Sequence, residues 1–267
     1  MGMKVATLRD IKRMLNDVHI VLEVVDARAP DVTRSRAVEN AVTEKGRLLL
    51  IALNKSDLIP EDVLWEWVNL ISEEGHRVLP VSATKRLGTL RLRKELKRMA
   101  PERPSKILVV GYPKVGKSSI INVLKGRHSA STSAVPGSSG YTRHFQLYRI
   151  ERGLYLVDSP GILPPEGDPL EMVLRGVRPE VLENPVEPAM AFLADVMRRL
   201  PGEVNRVYGV EEGDPLQVLE SIARSKNLIY ASTGEPNLAE AARMVIRDYH
   251  LQRIRYYREP YQREGSS

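Results

Sequence analysis

The stretch Lys106-Ile107-Leu108-Val109-Val110-Gly111-Tyr112-Pro113-Lys114-Val115-Gly116-Lys117-Ser118-Ser119 governs how the rest of this chain is read. Residues 107–110 form an unbroken apolar run of the kind carried by a strand covered on both faces. Positions 111–118 complete a GxxxxGK[ST] pattern, and a helical pattern follows at 117–124. Glycines at 111 and 116 let backbone N–H groups wrap phosphate oxygens, and the helix start adds the positive end of its dipole. Lys117 brings a full charge to the outer phosphates. The predicted cradle is therefore Lys114, Val115, Gly116, Lys117, Ser118 and Ser119, with the Ser118 hydroxyl offered to Mg2+.

Working outward, further apolar segments at 19–25, 48–53, 78–81, 145–150 and 154–157 read as strands. Helical patterns at 60–74 and 87–99 lie between them. Strand and helix in alternation predict an α/β fold with a mostly parallel sheet, which binds ligands at the C-terminal ends of its strands. Three motifs fall at such ends. Asn54-Lys55-Ser56-Asp57 is an NKxD pattern. The Asp57 carboxylate can accept from the two adjacent donors of guanine, Asn54 can reach N7, and the Lys55 stem can lie over the ring. Ser82-Ala83-Thr84 resembles the short loop whose backbone N–H meets guanine O6. Asp158-Ser159-Pro160-Gly161 is a DxxG pattern, with Asp158 placed to hold Mg2+ through water and the Gly161 N–H to reach the γ-phosphate. The implied ligands are GTP and GDP with Mg2+.

Composition narrows the chemistry. The chain has 267 residues and no cysteine, which excludes disulfides, thiolate metal sites and Cys nucleophiles. The five histidines show no paired-ligand spacing. No apolar run approaches a bilayer span, and the first eight residues lack a secretory apolar stretch, so a cytoplasmic protein with no membrane association is expected. The net charge of +6 admits a polyanionic partner. After Gly161 the texture changes to Pro- and Gly-rich sequence, then to helical patterns at 188–199, 215–224 and 236–257. The predicted domains are 1–165, holding all four motifs, and a small all-helical domain at 166–267.

The order of the motifs departs from that of ordinary small GTPases, in which the phosphate loop comes first. Here the base-recognition loop precedes it, so the domain reads as a circularly permuted P-loop GTPase. The loop after Gly161 then leads directly into the C-terminal helices, so a change at the γ-phosphate can be handed to them. With Asp26-Ala27-Arg28-Ala29-Pro30 ahead of the four motifs, most of the chain resembles the circularly permuted ribosome-assembly GTPases of the YlqF/RbgA-like (YlqF/YawG) class. Residues 218–248 are similar to the small helical domain of that class. The resemblance implies GTP hydrolysis coupled to maturation of a ribosomal subunit, usually the large one, with a ribosomal subunit precursor and rRNA as partners; separately, a monomeric protein is expected. Two readings of Asp26 and Arg28 stay open: a salt-bridged turn at a strand end, or a direct functional role.

Several positions depart from the pattern. Ile162 stands where small GTPases carry the glutamine that orients water, which predicts slow intrinsic turnover. Lys114 stands where potassium-activated relatives carry asparagine, leaving K+ as an open cofactor. The catalytic set is Lys117, Gly161 and Thr142, and the metal set Ser118, Thr142 and Asp158, with Ser138 and Ser139 competing for the place of Thr142. The class's Gly-His-Met stretch has no counterpart near the N-terminus.

Two basic clusters suit RNA. Residues 85–106 carry nine Lys and Arg against two Glu, readable as phosphate contacts or as a solvated helix face. In the second, Arg243, Arg247, Arg253, Arg255, Arg258 and Arg263 are interleaved with Tyr249, Tyr256, Tyr257 and Tyr261, which suits phosphate pairing with base stacking or packing in a core. The leading expectation is an assembly GTPase. An RNA-binding placeholder with incidental hydrolysis and a signalling or membrane-surface GTPase are the alternatives.

Overall fold

A computed structural model describes residues 5–101, 103–125, 146–159, 161–162 and 167–260. The chain divides into two compact units, Met1–Leu163 with Glu259–Ser267, and Pro164–Arg258.

The first unit runs β1 (Val5–Ala6), α1 (Leu8–Met14), β2 (Ile20–Asp26), α2 (Pro30–Thr33), α3 (Arg36–Glu44), β3 (Leu48–Asn54), α4 (Glu61–Glu73), β4 (Arg77–Pro80), α5 (Thr89–Met99), β5 (Ser105–Val110), α6 (Lys117–Lys125), β6 (Gln146–Glu151), β7 (Leu154–Asp158) and β8 (Gly161–Ile162). Six strands form one sheet in the order β4-β3-β2-β5-β7-β6, parallel except for the edge strand β6, which pairs antiparallel with β7. Both faces are covered, which is why β2 and β5 are buried at every position. Each predicted strand is present to within a residue or two. The short pair β1–β8, with Val5 opposite Gly161 and Ala6 opposite Ile162, has no signal in the sequence because two residues carry no periodicity.

The helix predicted from residue 87 begins at Thr89. Leu87 instead exchanges two backbone hydrogen bonds with Ser82, both 3.0 Å, and Gly88 turns the chain at a φ of 69°. Any side chain at Gly88 would collide with the Pro80 carbonyl.

The second unit contains α7 (Pro169–Leu174), α8 (Val186–Arg199), α9 (Glu203–Tyr208), α10 (Pro215–Ser225) and α11 (Leu238–His250). Asp168 and Asp214 cap α7 and α10 by accepting two first-turn amides each, with Pro at the next position. The helix predicted over 236–257 is shorter. It ends at His250, because Gln252 takes a φ of 64° while its N–H bonds to Tyr249 O and the Arg253 N–H to Asp248 O, a Schellman closure. The chain then folds back and buries Tyr256 completely. Phe192, Tyr249 and Tyr256 form the aromatic centre of this unit, with ring centroids 4.8 to 5.7 Å apart.

Candidate functional site

The phosphate loop is shaped by its close neighbours. Gly111 leaves β5 under strand β2, and a Cβ there would sit 2.5 Å from the Val24 carbonyl. Gly116, at a φ of 96°, has no room because the Asn54 amide occupies the space a side chain would need. Lys114 also lies in the left-handed region, at a φ of 64°, with its side chain exposed. The Ile120 N–H bonds to Gly116 O, so α6 starts here and the amides of Lys117, Ser118 and Ser119 have no acceptor within the helix. Lys117 Nζ contacts Asp158 Oδ1 and the Ser159 carbonyl. The lysine predicted for the phosphates and the carboxylate predicted for the metal are thus brought together from α6 and the end of β7. Ser159 is buried and donates to Val109 O at 2.7 Å, tying the DxxG turn to β5.

Asn54 joins three loops. Its Nδ2 donates to Val115 O at 2.8 Å, and its Oδ1 accepts from the Ala83 N–H at 3.1 Å. One amide thereby links the NKxD loop to the phosphate loop and to the 82–84 loop. The Ala83 N–H is occupied by that contact. Ser82 Oγ lies 3.4 Å from Thr84 Oγ1 and accepts from the Lys85 N–H. Asp57 Oδ1 is buried and has no hydrogen-bond partner among the described residues, an acceptor suited to an N–H-bearing base edge.

The Lys55 side chain, expected to lay its stem over the guanine ring, is anchored at its far end. The residue is buried, in the left-handed region at a φ of 64°, and its Nζ lies 2.6 Å from Asp26 Oδ2. Arg28 donates to the same carboxylate through Nη2 at 2.8 Å, Nε at 3.0 Å and its backbone N–H at 3.1 Å. Burial alone would raise the Asp26 carboxyl, but the Arg28 and Lys55 charges hold it far below the usual carboxylate range. The salt-bridged turn is therefore present. This charged triad was invisible in the sequence, since Lys55 lies 29 residues from Asp26.

Gly161 lies in β8 beside the first strand. Thr142, Ser138 and Ser139 lie outside the described residues, as do Tyr261 and Arg263.

The basic clusters are partly corrected. Tyr249 and Tyr256 are core residues at 1% and 0% exposure and offer no stacking face. Arg253 pairs with Asp248, and Arg255 with Glu203. Between 85 and 106, Arg98 pairs with Glu95, Lys97 and Arg103 pair with Glu151, and Lys106 is buried in β5. Arg93 reaches the carbonyls of Val123, Leu124 and Ile150. Lys85, Arg86, Arg91 and Lys94 are exposed with no ion pair among the described residues.

A mostly parallel sheet with a phosphate loop after β5 and a base loop after β3 defines a circularly permuted P-loop GTPase. The chain belongs to the RsgA GTPase family, whose model matches residues 9–166. It is 33% identical to a GTP-binding protein of Methanocaldococcus jannaschii, over 98% of this chain and 69% of that protein. It is 31% identical to GTPase grn1 of Schizosaccharomyces pombe and to nucleolar GTP-binding protein 2 of Neurospora crassa, of whose lengths it spans 61% and 42%. Its fold is similar to that of GNP-bound YlqF from T. maritima, with a TM-score of 0.65 at 26% identity over 93% of this chain and 95% of that one. GDP-bound YlqF gives 0.66 at 26% identity, covering 95% and 100%. Among the described residues no helix is long and apolar enough to cross a membrane.

Proposed function

We propose that this GTPase acts in assembly of the ribosomal large subunit, binding rRNA in a subunit precursor in one nucleotide state and leaving in the other. The reading is supported by the names of two relatives, a nucleolar GTP-binding protein and GTPase grn1, and by the likeness to YlqF over nearly the whole chain. The observation that carries the nucleotide chemistry is the Asn54 amide, which joins the base loop, the phosphate loop and the 82–84 loop into one continuous surface.

In this reading Asp57 accepts from N1 and N2 of guanine, the second N–H of Asn54 turns to N7, and the Thr84 N–H meets O6. The Lys55 stem lines the ring, and Ser82 and Ala83 shape the loop. Residues 114–119 enclose the phosphates with backbone amides, and Lys117 leaves Asp158 to pair with the β- and γ-oxygens. Gly161 supplies an N–H to the γ-phosphate. The donors Ser118 Oγ and Asp158 are hard oxygens that fit Mg2+, and Thr142 is proposed to complete the set. Mg2+, when bound, neutralises charge on the transferring phosphoryl group. Because Ile162 brings no group able to orient water, the intrinsic rate is slow and the ribosomal particle supplies what is missing. The exposed Lys114 puts an ammonium on the phosphate loop, and hydrolysis in Na+ buffer equal to that in K+ buffer is the expected result. The protein is proposed to work as a cytoplasmic monomer, with Lys85, Arg86, Arg91 and Lys94 as the exposed phosphate contacts.

Steady-state GTP hydrolysis with each purified ribosomal subunit tests the proposal. Large-subunit stimulation lost in Lys117→Ala supports it. Small-subunit stimulation alone, or particle binding indifferent to both nucleotide and Lys117→Ala, overturns it in favour of a different particle or a passive placeholder.

A further inference from the structure

The segment Asp26-Ala27-Arg28-Ala29-Pro30 has no part in the phosphate or base contacts assigned above, yet it is entirely buried. Every element of it serves one carboxylate. Asp26 ends the central strand β2, in register with Asn54 on β3. Its two oxygens accept four hydrogen bonds, three from Arg28 and one from Lys55, which fills the capacity of a carboxylate. The turn that presents it is held independently. Thr33 Oγ1 accepts from the Asp26 N–H at 3.1 Å and donates to Ala29 O at 2.7 Å, while the Ala27 N–H bonds to Asn54 O at 2.8 Å. Ala27 and Ala29 are fully buried, so larger side chains have no room, and Pro30 opens the short helix that carries Thr33.

Lys55 is the one member of this cluster that belongs to the base loop. Its backbone sits in the left-handed region, which a β-carbon-bearing residue occupies only when its surroundings hold it there. Its four-carbon stem would otherwise sample many rotamers and form no defined surface. Resting on the base-site reading above, we propose that Asp26, locked by Arg28, is a positioning residue that fixes the Lys55 stem as a rigid wall for the purine ring.

The contacts place Asp26 at the base end of the site, so its loss should weaken nucleotides through the base and leave the phosphate cradle intact. Affinities for GDP and for inorganic tripolyphosphate, measured by calorimetry, separate the two. Asp26→Asn is expected to weaken GDP about tenfold or more, as loss of a charged hydrogen bond does, with tripolyphosphate unchanged within about twofold. Lys55→Met keeps the stem without the ammonium, and the double variant should bind GDP as Lys55→Met does. General damage would instead weaken both ligands alike. The proposal is overturned by unchanged GDP affinity in Asp26→Asn, by equal losses for GDP and tripolyphosphate, or by losses that multiply in the double variant. Should Asp26→Asn not fold, Arg28→Lys, which cannot make the forked contact, decides the matter by a selective loss of GDP affinity or none. Asp57→Asn reports separately on the base-site reading: it should exchange guanine for xanthine, which carries a carbonyl where guanine has its amine. GDP binding intact in Asp57→Asn would defeat that reading whatever Asp26 does.

Discussion

Glu23 lies in the middle of β2 with no exposure, Oε1 accepting from the Ser35 N–H at 2.7 Å. Beside it Glu39 makes a forked contact with Arg34, both distances 2.9 Å, and lies 3.2 Å from His76 Nε2. Burial, and then the charge of Glu39, push the Glu23 carboxyl up to about 8. The unfolded chain ionises Glu23 near 4.5, so between 4.5 and about 8 the folded protein holds a proton the unfolded one has lost. Stability from this group is full below 4.5 and falls as pH rises, by about 1.4 kcal/mol per pH unit midway and less near either end, or about 3–4 kcal/mol between pH 5 and pH 8. Glu23→Gln keeps the shape, accepts from Ser35 and has no proton to lose. Urea unfolding followed by tryptophan fluorescence reports on this unit alone, because both tryptophans, Trp65 and Trp67, lie in α4. The stability of Glu23→Gln relative to the parent should climb by that ~3–4 kcal/mol from pH 5 to pH 8. Parallel curves for the two proteins would refute the reasoning, since Glu23 would then be ionised in the folded state.

Asn54→Ala should leave the buried Val115 carbonyl and Ala83 N–H without their shared partner, destabilising the first unit by about 2–4 kcal/mol in urea titrations and weakening GDP and tripolyphosphate together. Gly116→Ala places a methyl group where the Asn54 amide now sits; its nucleotide affinity should fall to that of Asn54→Ala, and a variant binding GDP as the parent does would contradict the close approach. In the second unit the Tyr256 hydroxyl donates to Asp195 Oδ2 at 2.6 Å. Tyr256→Phe should therefore cost ~1–2 kcal/mol by calorimetry while GDP affinity stays at the parent value.

The four loops were legible because each is a contiguous run whose residue types carry their own chemistry. The glycines at 111 and 116 mark backbone that side chains exclude, Lys117 and Ser118 follow at fixed spacing, and the strand before each loop is a plain apolar run. Less was legible where a residue's surroundings set its role. Tyr249 and Tyr256 stand among arginines in the chain, as nucleic-acid contacts often do, yet pack on Phe192 because the Schellman closure at Gln252 turns residues 253–258 back onto α8. Arg93 reads as one more cation of a basic helix, but it caps the carbonyl end of α6.

By itself, then, the amino-acid order determined the class of fold and the permuted sequence of loops, since these depend on neighbours a few positions apart. The tertiary structure decided which of those residues constrain one another. Lys55 meets Asp26 across 29 residues, and Asn54 meets Val115 across 61. Such contacts arise because the parallel sheet sets β2, β3 and β5 side by side, and hydrogen bonds and charges act over ångströms of space whatever the separation along the chain.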